Sequence, residues 1–258
     1  VGRRSWIITS GVAVVVVTLS LVIRNQVKVY RGRQQRAAIV EQRQTLFDLL
    51  RPIALENCRL ERFGEAHDGG YLMCGNLLAG AESAYSYGIG GYDKWGCDIA
   101  TTLGVQVHQY DCFNTTQPSC QTGTTLFHAE CVGDTAKTTE GRFFDTLARQ
   151  LDRNGHRGKR IVMKMDVEGA EWDALLTAPA DVLQQIEQMA VEFHEVQDEK
   201  YVRVVRRLLR FFHVAHIHFN NHSCIQGLDP FPTWAYEVLF VNKRLVTVDA
   251  SRSAGGLH

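Results

Sequence analysis

The sequence predicts an α/β protein: a doubly wound, mainly parallel sheet with an antiparallel last strand, preceded by one transmembrane helix. Three observations predict it. Between about residues 53 and 249, apolar runs ending in polar residues alternate with helical patterns, as in successive βαβ units. Only a short loop containing Pro230 and Pro232 separates the last two runs, too little for a crossover helix, so the final strand should turn back antiparallel. At the other end, residues 6–23 (WIITSGVAVVVVTLSLVI) form an uncharged stretch of 18 residues, just long enough to cross a bilayer as a helix.

The elements follow in chain order. Residues 1–23 contain the expected span, with Trp6 at one interface. A cleaved signal peptide is the main competitor, but the apolar block exceeds a usual h-region and no small-x-small site follows closely. Arg3 and Arg4 precede the span, while Arg24, Lys28, Arg31, Arg33 and Arg36 follow it. The positive-inside rule then puts the C-terminal part in the cytosol or the mitochondrial matrix. A single-pass protein of the mitochondrial inner membrane is favoured, with an endomembrane (ER or Golgi) alternative. Residues 24–52 read as a basic helical stem stopped by Pro52. Its face would meet acidic headgroups or a partner subunit, or simply water. Residues 53–249 form the main domain and 250–258 a flexible tail.

Composition narrows the function. With 258 residues, 45% hydrophobic, the chain can bury one sizeable core. A formal net charge of zero argues against a general nucleic-acid binder. The seven cysteines (58, 74, 97, 112, 120, 131 and 224) are odd in number and contain no Cys-x-x-Cys pair. They read as mostly reduced thiols, not as a disulfide framework or a zinc site. The sequons at Asn114 and Asn221 are discounted as chance triplets.

Within the domain, 83–91 reads as a strand turning into a helix over 93–103, and 105–111 and 126–132 as the next two strands. A helix near 142–152 leads to a strand at 161–166, a helix near 180–187 to a strand at 188–194, and a helix at 200–212 to a strand at 213–219. Residues 236–242 form the last strand. Three of these runs end in acids, histidine or asparagine: Asp166 and Glu168; Glu192 and His194; His218 and Asn220. In open α/β sheets, ligands bind beyond the carboxyl ends of the strands, so these side chains should share one rim. The plainer alternative for Glu168 is a helix-capping acid.

The turn after the first strand, Gly88-Ile-Gly90-Gly91, allows backbone to approach a ligand, and Asp111 one strand later can accept ribose hydroxyls. Both nicotinamide- and S-adenosylmethionine-binding sheets share this arrangement. Asp93 stands where a dinucleotide site wants its third glycine, which suits an adenosine without a pyrophosphate better. An NAD-dependent oxidoreductase is therefore disfavoured.

The glycine turn, Asp111 and above all Lys164-Met-Asp166-Val-Glu168-Gly169-Ala-Glu171 resemble the FkbM-like and related methyltransferase-domain proteins of the class I S-adenosylmethionine-dependent superfamily. Asp68-Gly-Gly-Tyr71, Asn220-Asn221 and Phe231-Pro-Thr-Trp-Ala-Tyr-Glu237 are similar to a membrane-anchored eukaryotic branch. The resemblance covers about residues 56 to 245 and implies a Rossmann-like, seven-stranded sheet. It implies cofactor contacts from Gly88, Gly90, Gly91 and Asp111, with Glu130 or Asp134 near the adenine and Asp93 and Trp95 as secondary contacts. Asp166 would face the sulfonium or the acceptor, Glu168 would position the acceptor, and His194 would be the general base. Glu192, His218 and Asn220 would meet the acceptor. A metal at Asp166, Glu192, His194 and His218 is not expected, because no contiguous ligand signature supports it. Two functions follow: a membrane-anchored methyltransferase acting on an O or N acceptor, or a catalytically weak accessory subunit of a membrane complex.

Overall fold

A computed structural model describes the backbone of residues 4–251 and side chains from residue 24 to 251. The chain divides into two compact units, residues 1–42 and 43–258. The first is helical, the N-terminal part of α1 (Arg4–Leu49). No helix among the described residues is long and apolar enough to cross a membrane. This corrects the expected fold class, which placed a transmembrane helix before the sheet, and with it the single-pass localisation, mitochondrial or endomembrane. An apolar run of 18 residues lies at the lower limit for a span, and α1 continues unbroken from it into the charged stem. The side chains of residues 1–23, and residues 252–258 of the expected tail, lie outside the described residues.

The second unit opens with an antiparallel hairpin, β1 (Leu60–Gly64) and β2 (Gly70–Cys74). Then come β3 (Ser83–Tyr87), α2 (Lys94–Leu103), β4 (Val107–Tyr110) and β5 (Thr125–His128). A small sheet follows, of β6 (Cys131–Val132), β7 (Lys137–Thr139) and β8 (Arg142–Asp145), in the order β6-β8-β7. The chain continues with α3 (Leu147–Arg153), β9 (Ile161–Met165), α4 (Glu171–Thr177) and α5 (Ala180–Gln185). It closes with β10 (Ile186–His194), α6 (Glu199–Leu208), β11 (Phe212–Phe219) and β12 (Ala235–Asn242). The main sheet is mixed, with seven strands in the order β11-β12-β10-β9-β3-β4-β5. β12 pairs antiparallel with both neighbours, whereas the pairings from β10 to β5 are parallel.

Both faces of this sheet are covered, which explains why β9 and β10 are buried along their whole length and why β9 reads as an apolar run rather than an alternating one. Ile161, Met163 and Met165 face a core shared with Trp172, Val182, Val204 and Leu208, while Val162 faces the other, with Phe63, Tyr71, Trp95 and Ile99. α6 shows the one-sided pattern this requires: Tyr201, Val202, Val204, Val205 and Leu208 are buried, and Arg206 and Arg207 sit in its last turn, where the helix dipole favours cations. α2 is stopped by Gly104 at φ 66°, a left-handed cap that glycine adopts without strain.

Six of the seven cysteines are paired: Cys58–Cys74, Cys97–Cys120 and Cys112–Cys131; Cys224 is free and exposed. The reduced-thiol reading is thereby corrected. The partners lie 16, 23 and 19 residues apart in sequence, a spacing that carries no local signature. It is the packing of α2, the strand ends and their loops that brings the α-carbons within 5.0 to 5.4 Å.

Candidate active site

The strand order reverses between β3 and β9: from β3 the chain builds outward through β4 and β5, then returns to the other side of β3 with β9 and β10. Such a switch point leaves a crevice beyond the carboxyl ends of the strands. A cleft of about 490 Å³ lies there, lined among others by Tyr87, Gly88, Gly90, Asp111, Glu130, Asp166 and Glu168.

Each glycine of the turn has a different reason to be one. Gly88, at φ 70°, is wedged against β9: a Cβ there would fall on the Asp166 carbonyl oxygen. Gly90, at φ 58°, faces open space and lines the cleft. Gly91 does not line the cleft; the Asn114 amide nitrogen lies 2.6 Å from where its Cβ would be. Asp111 accepts from Ile89 N (3.1 Å) and Gly90 N (2.8 Å) on one oxygen and from Phe113 N (2.8 Å) and Asn114 N (2.9 Å) on the other. These four amides fill a carboxylate's capacity of roughly four acceptor sites. Asp111 here clips the glycine turn to the next loop instead of offering free lone pairs to a ribose.

Glu130 lines the cleft and pairs with Arg153. Asp134 does not line it; it is exposed and bonded to Lys137 at 3.0 Å, which lowers its pKa. Asp93 caps α2, accepting from Gly96 N at 2.8 Å and from Gln109 at 2.9 Å. Trp95 packs that helix onto the sheet. Tyr87 and Trp95 line the cleft, but their polar atoms, Tyr87 Oη and Trp95 Nε1, are buried and have no hydrogen-bond partner. A buried unpaired donor costs about 1–3 kcal/mol.

Toward Asp166 and Glu192 lies a network of acids around two residues that the sequence reasoning missed. Lys164, buried in β9, donates to Tyr87 O (3.2 Å) and Gly88 O (2.7 Å), and stands 3.5 Å from Asp166 Oδ2. Tyr71, from the hairpin, donates to Asp166 Oδ2 at 3.0 Å and reaches Glu192 at 3.4 Å. A charge in an otherwise apolar strand was the available signal for Lys164; Tyr71 had only the glycines before it. Asn220 donates to Glu192 at 3.1 Å.

His194 Nδ1 lies 3.2 Å from Glu171 Oε1, and its Nε2 faces Glu168 Oε2 at 3.5 Å and Asp166 Oδ1 at 3.9 Å. Burial opposes charge on this ring, but the hydrogen bond and charge of Glu171, with Asp166 and Glu168 behind it, outweigh burial and push its pKa to about 9. The ring therefore carries its proton at neutral pH and is not the near-neutral base expected from the sequence. Glu168 sits at φ 52°, an uncommon conformation for a non-glycine residue. Along the sheet, Glu237 of β12 stands directly opposite both Glu192 and His218. Burial, then the Glu192 charge, raises Glu237 to about 8; burial, then the Asp166 charge, raises Glu192; burial and Arg62 lower His218. The sequence-predicted acceptor residues are thus neighbours, although His194, Glu192, His218 and Asn220 stand beside the cleft and do not line it.

No family model matches the chain, and no curated protein matches it. Among solved structures, an rRNA methylase from Streptococcus thermophilus is similar at a TM-score of 0.36 and 12% identity, over 65% of this chain and 93% of that one.

Proposed function

We propose that the chain is an S-adenosylmethionine-dependent methyltransferase acting on an oxygen or nitrogen acceptor. The observation that supports it best is the position of the glycine turn at the sheet's switch point, with Gly90 open to the cleft. That open backbone lets an adenosine-bearing ligand approach the turn closely. Bound there, the cofactor supplies an electrophilic methyl group on a positive sulfur. The acids Asp166 and Glu168 favour such a cation electrostatically, and Glu130 rather than Asp134 is positioned for the adenosine end. Protonated His194 presents Nε2–H as a donor that orients an acceptor, while Glu168, 80% exposed at its side chain, is placed to take up the acceptor's proton. Alignment of acceptor and methyl supplies much of the acceleration in an in-line displacement.

A second reading, a methyltransferase-like domain without catalysis, draws support from Asp111: its oxygens must release backbone amides before they can hold a ribose. The three disulfides favour an oxidising compartment for the domain, opposite to the matrix side read from the flanking charges. Calorimetric titration of the oxidised chain with S-adenosylmethionine and S-adenosylhomocysteine separates the readings. Saturable micromolar binding, lost in Asp111→Ala while the variant still melts cooperatively, supports the enzyme. Absence of binding by folded protein refutes it in favour of the silent domain.

A further inference from the structure

We propose that Asp166, Glu168 and His194 form a binding site for one divalent cation. One ligand atom from each residue lies within 4.8 Å of the others. The separations from His194 Nε2, 3.5 Å to Glu168 and 3.9 Å to Asp166, are at or beyond the limit of a hydrogen bond. They lie close to the roughly 3–3.5 Å expected between ligands that each sit about 2.1 Å from one metal.

The buried imidazole is the independent observation. His194 is only 5% exposed, yet its Nε2 makes no hydrogen bond and aims into the gap between two carboxylates of which Glu168 is exposed and both line the cleft. A ring nitrogen whose partner nitrogen is held by a buried carboxylate and which points at an opening that solvent can reach is placed for a cation entering from the cleft.

Each ligand is also held from behind by groups outside the trio. Glu171, fully buried, holds Nδ1 of the imidazole at 3.2 Å, and its other oxygen accepts from Gly169 N at 2.8 Å. This carboxylate–imidazole pairing orients the ring and leaves Nε2 toward the ligand, as outer-shell partners do in metal sites. Tyr71 and Lys164 engage only Oδ2 of Asp166, which frees Oδ1 for the gap. On binding, the cation displaces the Nε2 proton to solvent and engages Glu168, so it replaces the donor and proton-accepting roles these two side chains have without it; one imidazole nitrogen and two carboxylate oxygens suit Mn²⁺ or Zn²⁺ and leave coordination positions open.

The cation does not depend on the methyl-transfer reading; its role does. If that reading holds, an acceptor hydroxyl occupies an open position, where the metal lowers its pKa. The O–H bond then breaks with the electron pair left on oxygen and the proton passed to solvent. This narrows the acceptor class to oxygen nucleophiles.

The test is titration of the chelator-treated, oxidised full chain with Mn²⁺, followed by electron paramagnetic resonance and calorimetry without cofactor. One saturable site is expected, weakened at least ten-fold in Asp166→Asn, His194→Gln and Glu168→Gln, and unchanged in Asp134→Asn. Glu168→Gln alters an exposed side chain, so its loss of binding cannot come from unfolding. No saturable binding by folded protein, or wild-type affinity in Glu168→Gln and His194→Gln, overturns the proposal. Binding of S-adenosylhomocysteine to the metal-free protein is measured in parallel. Its failure beside intact Mn²⁺ binding rejects the methyltransferase reading and spares the metal site.

Discussion

Two alanine substitutions two residues apart should have opposite consequences. Gly88→Ala drives a methyl group into the Asp166 carbonyl, which belongs to the backbone and cannot swing aside. Left-handed backbone costs an L-residue about 1–2 kcal/mol, and overpacking adds about 1–3 kcal/mol, so destabilisation should reach roughly 2–5 kcal/mol. At about 2–4 °C per kcal/mol for a chain near this size, Tm should fall by roughly 10 °C. Gly90→Ala bears similar backbone strain at φ 58° but meets nothing within 4 Å. Part of that strain is offset by the roughly 0.4–1 kcal/mol gained from a less flexible unfolded chain, so Tm should move by only about 3 °C. The new methyl, however, stands in the cleft and should weaken S-adenosylhomocysteine binding ten-fold or more, about 1.4 kcal/mol. Differential scanning calorimetry and binding titration of both variants decide the matter. Equal Tm values would refute the close approach of Gly88 to β9. Unchanged binding in Gly90→Ala would show that no ligand meets the backbone there.

Stability should trace a dome in pH. Burial first, then His128 and His156, pushes His108 down to about 3 from an ordinary 6.5, so its share is complete above 6.5 and is lost as pH falls toward 3, at most about 5 kcal/mol. His194, raised to about 9, stabilises fully below 6.5 and loses that share, at most about 3 kcal/mol, as pH rises through 9; a flat urea midpoint between pH 4 and 9 would contradict both. Glu171→Gln should lower the His194 pKa, read by NMR titration, and destabilise by about 3–5 kcal/mol as a broken buried pair; an unmoved pKa would show that Glu171 does not set the ring's charge. Reduction should lower Tm steeply, because loops of 16 to 23 residues are worth about 3 kcal/mol each in the chain-entropy account; a reduced protein that melts at the oxidised Tm would refute that contribution.

What was legible in the sequence was whatever burial writes into it. β9 is apolar because both its faces are covered, and the abrupt Asp166 and Glu168 after it mark where cover ends. The short polar elements were not legible: Arg142–Asp145 read as helix but pairs as β8, since pairing with β6 and β7, not the local pattern, decides it. Asp111 was found at the correct strand end, but saturation by four amides is a property of loop geometry that no spacing reveals. For His194 the residue was legible and its charge was not, because Glu171 lies 23 residues away in sequence.

The Cys112–Cys131 bond joins the residue after Asp111 to β6, and both half-cystines line the cleft. One wall of the ligand space is thus finished only when an oxidant has acted. A chain synthesised in a reducing cytosol would fold around an unclipped wall and could display the sheet, the glycine turn and the acids while binding nothing. Oxidation state thereby becomes an ingredient of the proposed binding site, and a titration that shows no binding says nothing about that proposal until the thiols have been counted.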